Sequence, residues 1–300
     1  MTGKVFISCG MHLKRERNAV GAIQGLLKTK FKLNPYVAIA VQSLDDIMNI
    51  TKELRSSDYY LFIDFKRLSL FSHQELALAH NLGFGGNIIV LRQKGTQLKG
   101  FLRYVQGNPE AFNTMKELLE KVETLVRQKG WSSDYSRNLI IDPILKRSSV
   151  LTYGDHTGQT LHESWSVKIE NRRSDVAAVG VVCILDSILL PSGTRQPSPD
   201  RGYLKWAGHR DYERTILPKS TEEVALFATR VHEPGVFLLS TLDVVPRQPI
   251  LIPNGKYELN YKVFAQDFQM IEFTVALDLK WQAASPPVWG NQTNAQLKAR

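Results

Sequence analysis

Cysteine is almost absent from this 300-residue chain: Cys9 and Cys183 stand one in each half. Two residues so far apart form no disulfide framework and lack metal-ligand spacing, and no two of the seven histidines have the spacing of a helical zinc site. No metal and no bound cofactor are therefore expected. Long apolar runs are missing too, none approaching the roughly 18 residues that span a bilayer. Met1-Thr-Gly-Lys-Val-Phe-Ile-Ser8 enters a strand-like run without a signal-peptide pattern. A cytoplasmic protein without a membrane partner is the expectation.

What is present is ordinary globular material, 43% hydrophobic and 22% charged, enough for two cores at about 150 residues per domain. Its charge is uneven. Residues 1–150 hold 22 Lys and Arg against 13 Asp and Glu, whereas residues 151–300 hold 16 of each, so the whole excess of +9 lies in the first half. Such asymmetry favours an anionic partner for the first domain. Its basic residues are scattered and carry no nucleic-acid module signature, so nucleic acid is not the expected partner.

Strand-like and helical runs alternate through the first half. Lys4–Ser8, Tyr36–Val41, Tyr59–Asp64 and Asn87–Leu91 read as strands. Helical spacing follows each, over about Met11–Lys30, from Ser43, over Ser72–Leu82 and over about Pro109–Lys129. Alternation of this kind argues for a parallel sheet covered on both faces, a flavodoxin-like α/β domain over residues 1–135, with strand order 2-1-3-4. Residues 136–162 read as a linker. From 163 to 285, short strand-like runs bounded by turn residues, such as Tyr257-Glu-Leu-Asn-Tyr-Lys-Val263, predict an all-β sandwich. Residues 286–300 lack apolar pattern and read as a disordered tail. Within the second domain, Arg201–Tyr212 interleaves cations with aromatics, a mixture able to stack on bases but equally usual on sandwich loops.

In the order 2-1-3-4 the topological switch point falls between the first and third strands, where open α/β sheets place ligands. Their carboxyl ends are Ser8-Cys9-Gly10 and Asp64-Phe-Lys-Arg67, and the helix after the third strand brings Glu75 to the same edge. Ser72-x-x-Glu75 has a second reading as a capping box, the serine oxygen accepting from the Glu75 N–H and the glutamate returning to the serine N–H. His73 is a candidate acid or base by its chemistry and a surface residue by its place in the helix's first turn.

The run Lys4-Val-Phe-Ile-Ser8, the strand ending Phe62-Ile-Asp64, and Ser72-x-x-Glu75-Leu-Ala-x-Ala-x-x-Leu-Gly83 before Ile88-Ile-Val-Leu91 resemble TIR (Toll/interleukin receptor) domains and their nucleoside 2-deoxyribosyltransferase relatives. The resemblance covers roughly residues 3–130. It implies that Glu75 is a catalytic carboxylate acting where ribose joins a base, with the Ser8-Cys9-Gly10 turn facing phosphate or ribose and Asp64 a ribose hydroxyl; Arg15 and Lys66, cations at the switch point, and Ser72 complete the expected substrate-binding set. Its first implication is cleavage of NAD, taken as substrate, in bacterial defence or signalling. The second domain would then regulate the enzyme through a homo-oligomer or a protein partner. Its second is a nucleoside or nucleotide N-glycosidase or deoxyribosyltransferase-like enzyme, and its third a non-catalytic interaction module in which Glu75 only caps. The departures are at Phe71-Ser72 and His73-Gln74, where these families usually carry Gly-Thr, or an aromatic or cysteine, before the glutamate.

Overall fold

A computed structural model describes residues 3–298 apart from 11, 39–43, 67–69, 98–108, 155–157, 199–202, 210, 231–234, 239–250, 252–253, 283–289 and 292–293. The chain divides into two units, residues 1–137 and 138–300. Among the described residues no helix is long and apolar enough to cross a membrane.

In the first unit β1 (Lys4–Cys9), α1 (Lys14–Phe31), β2 (Asn34–Val37), α2 (Leu44–Arg55), β3 (Tyr59–Asp64), α3 (Leu70–Asn81), β4 (Ile88–Gln93), β5 (Glu110–Phe112) and α4 (Met115–Gln128) follow in order. The sheet is parallel, ordered β2-β1-β3-β4-β5. The flavodoxin-like α/β expectation holds, extended by one strand. Glu110–Phe112, expected inside the last helix, pairs with β4 instead. Helix α4 starts after it, where the Thr114 hydroxyl accepts from the Glu117 N–H at 3.1 Å and Glu117 Oε2 accepts from the Asn113 N–H at 2.7 Å.

Strand pleating sorts the core into two layers. Val5, Ile7 and Cys9 of β1 with Leu61 and Ile63 of β3 pack against α1 and α4, through Val20, Ile23, Leu118 and Val122. Phe6 of β1 with Tyr60 and Phe62 of β3 packs on the opposite face against α2 and α3, through Ile50, Leu54, Leu76 and Ala79. Gly83, at φ +73°, lets the chain leave α3, its N–H bonding the His80 carbonyl at 3.1 Å.

The second unit, among its described residues, is built of antiparallel sheets. Strands β6 (Ile140–Ile141), β7 (Lys146–Gly154), β8 (Gly158–Asn171), β12 (Ser220–Arg230) and β13 (Phe237–Leu238) form one sheet. Strands β9 (Ala178–Leu189), β10 (Arg195–Pro197), β11 (Glu213–Ile216), β14 (Gly255–Phe264), β15 (Ile271–Leu279) and β18 (Asn294–Leu297) form another, and β16 (Trp281–Gln282) pairs β17 (Gly290–Asn291). Trp165, Val167 and Val224 from the first sheet and Val181, Cys183, Leu259 and Val275 from the second share one buried cluster, the packing of a β-sandwich.

Two boundary expectations are corrected. Most of the expected linker 136–162 is strand, with Lys146–Gly154 paired residue by residue to β8. The expected disordered tail holds Asn294–Leu297, which pairs with β15 and buries Ala295. Four residues are too few to show an alternating pattern, and the backbone ladder of β15 supplies the order that their side chains do not.

Candidate functional site

The buried stripe of α3 is Ser72, Glu75, Leu76 and Ala79, the i, i+3, i+4, i+7 spacing of a core-facing helix. Glu75 thus occupies a core position and is only 4% exposed. Carboxylates are rarely buried there without a partner. Its partner is Ser8, fully buried in β1, whose hydroxyl donates to Glu75 Oε2. Oε1 has no hydrogen-bond partner. Burial pushes the Glu75 carboxyl up to about 7, against the Ser8 hydrogen bond, which favours the ionised form.

This arrangement displaces the capping box. Helix α3 begins at Leu70, two residues before Ser72, and the glutamate reaches across to β1 instead of returning to the serine. A glutamate does cap at α1, where Glu16 Oε2 accepts from the His12 and Leu13 N–H groups at 2.9 and 2.8 Å.

Register explains the company Glu75 keeps. Phe6 lies beside Tyr60 and Ser8 beside Phe62, so these four side chains and Asp64 project from the face that α3 covers. The Tyr60 phenol is fully buried, and its pKa rises well above the ordinary value through burial and then through the nearby Glu75 charge. His73 meets the Phe62 ring edge-on at 5.3 Å. Asp64 is 4% exposed at the carboxyl end of β3, with Oδ2 unpartnered. Burial raises its pKa, opposed by the nearby Thr96 hydroxyl, then His73, then Arg92.

The remaining expected site residues separate. Cys9 projects to the α1 and α4 face, in the other core layer, and burial followed by the Glu75 charge lifts its thiol to about 12. Gly10 is half-buried just beyond β1. Arg15 is exposed in the first turn of α1, and Lys66 is exposed beyond β3, its N–H donating to Gln93 Oε1 at 3.1 Å. Arg67 lies outside the described residues. Tyr60 and Arg92 were not singled out from the sequence. Tyr60 was readable, because β3 alternates Tyr60, Phe62 and Asp64 on one face, but Arg92 falls one residue beyond the expected strand.

In the second unit Trp206 is buried, its indole N–H donating to the Tyr212 carbonyl at 3.1 Å, so the ring serves the sandwich core and is closed to base stacking. Among the described residues no group of three or more His, Cys, Asp or Glu is arranged to hold a metal ion.

No protein-family model and no curated protein matches the chain. Among solved structures it is similar to the CMP N-glycosidase BcmB of Clostridium botulinum, at 19% identity over 40% of this chain and 98% of that one, with a TM-score of 0.33. It is also similar to a 2-deoxyribosyltransferase from Bacillus psychrosaccharolyticus, at 12% identity over 41% and 96%, TM-score 0.32. Translation elongation factor SelB of Methanococcus maripaludis aligns at 9% identity over 99% and 78%, TM-score 0.32. Likenesses of this size leave the chemistry of the site to its own geometry.

Proposed function

We propose that the first unit cleaves the N-ribosidic bond of a nucleoside or nucleotide, with Glu75 as the carboxylate that meets the anomeric carbon. One observation carries this reading: a carboxylate buried at a helix's core position, held through one oxygen by Ser8 and unpartnered through the other, at the switch point of a parallel sheet. A cap or a surface residue would not bear that desolvation. Breaking the bond sends its electron pair to the base nitrogen and develops oxocarbenium character at the anomeric carbon. The free Glu75 oxygen stabilises or attacks that centre, and water completes hydrolysis, leaving the protonated base and the sugar.

NAD is the second reading, since its nicotinamide is joined to ribose by the same kind of bond. It also asks for cations at a pyrophosphate, and of those expected around the substrate Arg15 and Lys66 are exposed to solvent. That ranks a nucleoside or nucleotide first. Control of the enzyme through the second unit, by self-association or a protein partner in a bacterial defence setting, belongs to the NAD reading.

The test is release of free base by the full chain from a panel of nucleosides, nucleoside monophosphates and NAD, beside Glu75→Gln. Release by wild type alone supports the reading, NAD as the only substrate reverses the ranking, and equal release by both proteins removes Glu75 from the chemistry.

A further inference from the structure

Asp64 and Arg92 are register partners on the neighbouring parallel strands β3 and β4, so both leave the sheet on the face that carries Ser8, Tyr60 and Phe62. Each has a buried polar atom without a hydrogen-bond partner, Asp64 Oδ2 and Arg92 Nε. Arg92 Nη1 donates to the Thr96 carbonyl at 3.0 Å, which holds the guanidinium at the carboxyl edge. The opposite charges attract, yet neither orphaned atom is satisfied by the other. Buried polar groups left in this state cost stability unless a ligand completes them.

The pair defines its complement. A carboxylate repels an anion and a guanidinium repels a cation, so a net-neutral pair with one open acceptor and one open donor suits a neutral group that carries an N–H beside a C=O. The amide edge of a nucleobase such as uracil or hypoxanthine has this pattern, and so does the carboxamide of nicotinamide. Spacing agrees with a role beside Glu75. Ser8 lies opposite Phe62, and Asp64 follows two residues along β3. Strand geometry then puts Asp64 about 8 Å from Ser8 between Cα atoms. Glu75, bonded to Ser8, and Asp64 are thus neighbours along one face of the sheet, on either side of Phe62.

We propose that Asp64 and Arg92 form the subsite that grips the amide edge of the departing base, Asp64 accepting its N–H and Arg92 donating to its C=O. The proposal rests on the reading of Glu75 given above, but its test needs no turnover. Binding of 1-methyluracil, 9-methylhypoxanthine and nicotinamide, the ring nitrogen that carries ribose being blocked in the first two, is measured on the full chain by saturation-transfer NMR, each beside the form methylated at the amide nitrogen (1,3-dimethyluracil, 1,9-dimethylhypoxanthine, N,N-dimethylnicotinamide).

At least one parent compound binds and its methylated form is weaker by tenfold or more, because methylation removes the N–H and leaves Asp64 unsatisfied. The compound that binds separates a nucleobase from nicotinamide as the source. Asp64→Ala and Arg92→Met each lose tenfold or more, with the fold checked by circular dichroism, and the methylation comparison stands on wild-type protein alone. No binding of any parent at millimolar concentration, equal binding of parent and methylated forms, or binding of inorganic phosphate that depends on Arg92 overturns the proposal. Base binding without cleavage of any nucleoside would remove the reading of Glu75 and leave the subsite, whereas cleavage with indifferent base binding would do the reverse.

Discussion

Replacing Glu75 by Gln tests the burial of the carboxylate without reference to any substrate. The side chain titrates near 4.5 when unperturbed and is pushed up to about 7 by burial in the folded protein. At roughly 1.4 kcal/mol per unit that shift corresponds to about 3 kcal/mol. The sign follows from linkage: between the two values the folded state holds a proton that the unfolded state has lost, so stability falls as pH rises through this window. Below about 4.5 both states are protonated and the penalty vanishes, and above about 7 it is complete.

Gln cannot titrate, so the stability of Glu75→Gln relative to wild type climbs by about 3 kcal/mol from pH 4 to pH 8. Any fixed gain or loss from the amide cancels in that comparison. Among the described residues helices occur only in the first unit. Urea unfolding followed by circular dichroism at 222 nm therefore reports mainly on the unit that contains Glu75. At roughly 2 kcal/mol per molar urea, the gap between the two midpoints widens by about 1.5 M across the pH range. A gap that stays constant from pH 4 to pH 8 would refute the reasoning, because it would mean that Glu75 ionises as it does in water.

Ser8→Ala removes the donor that favours the ionised carboxylate, so the inflection in kcat/KM against pH moves upward from about 7 by about one unit, with activity recovering at high pH. A purely structural serine would lower the whole profile without moving it. Arg137 donates to the carbonyls of Ser57, Leu82 and Arg55 at 3.2, 2.5 and 2.7 Å, and its guanidinium lies 4.2 Å from the centre of the Phe84 ring. Arg137→Ala strands these carbonyls at and just beyond the ends of α2 and α3 and costs about 3 kcal/mol or more in urea unfolding. Cys9, buried and with its thiol lifted to about 12, resists alkylation at pH 8 in the native protein and reacts once urea unfolds it, as peptide mass measurement will show.

The parallel sheet and its switch point were legible because β1, β3 and β4 are continuous apolar runs separated by helical spacing, the pattern of strands buried on both faces. Glu75 bonds Ser8 near the carboxyl end of β1, but its role is ambiguous in the sequence. Ser72-x-x-Glu75 satisfies a capping box and a core-facing carboxylate equally, and the start of α3 at Leu70 separates them. The Ser8–Glu75 bond spans 67 positions and depends on how α3 lies over β1, which no local pattern encodes. Cys9 adjoins Ser8 in sequence but not in the site, because neighbours on a strand face opposite sides. Thr114-x-x-Glu117 marks the true start of α4, yet the run from Pro109 reads as one helix because the three-residue β5 is too short to show a period.

Chemical rescue puts the role of the carboxylate most directly. Glu75→Ala opens a cavity where the side chain was, and formate supplies a carboxylate small enough to occupy it. The account predicts base release from a nucleoside or nucleotide by wild type, none by Glu75→Ala, and partial recovery on adding formate, increasing with its concentration. Release by Glu75→Ala at the wild-type rate without formate would contradict it.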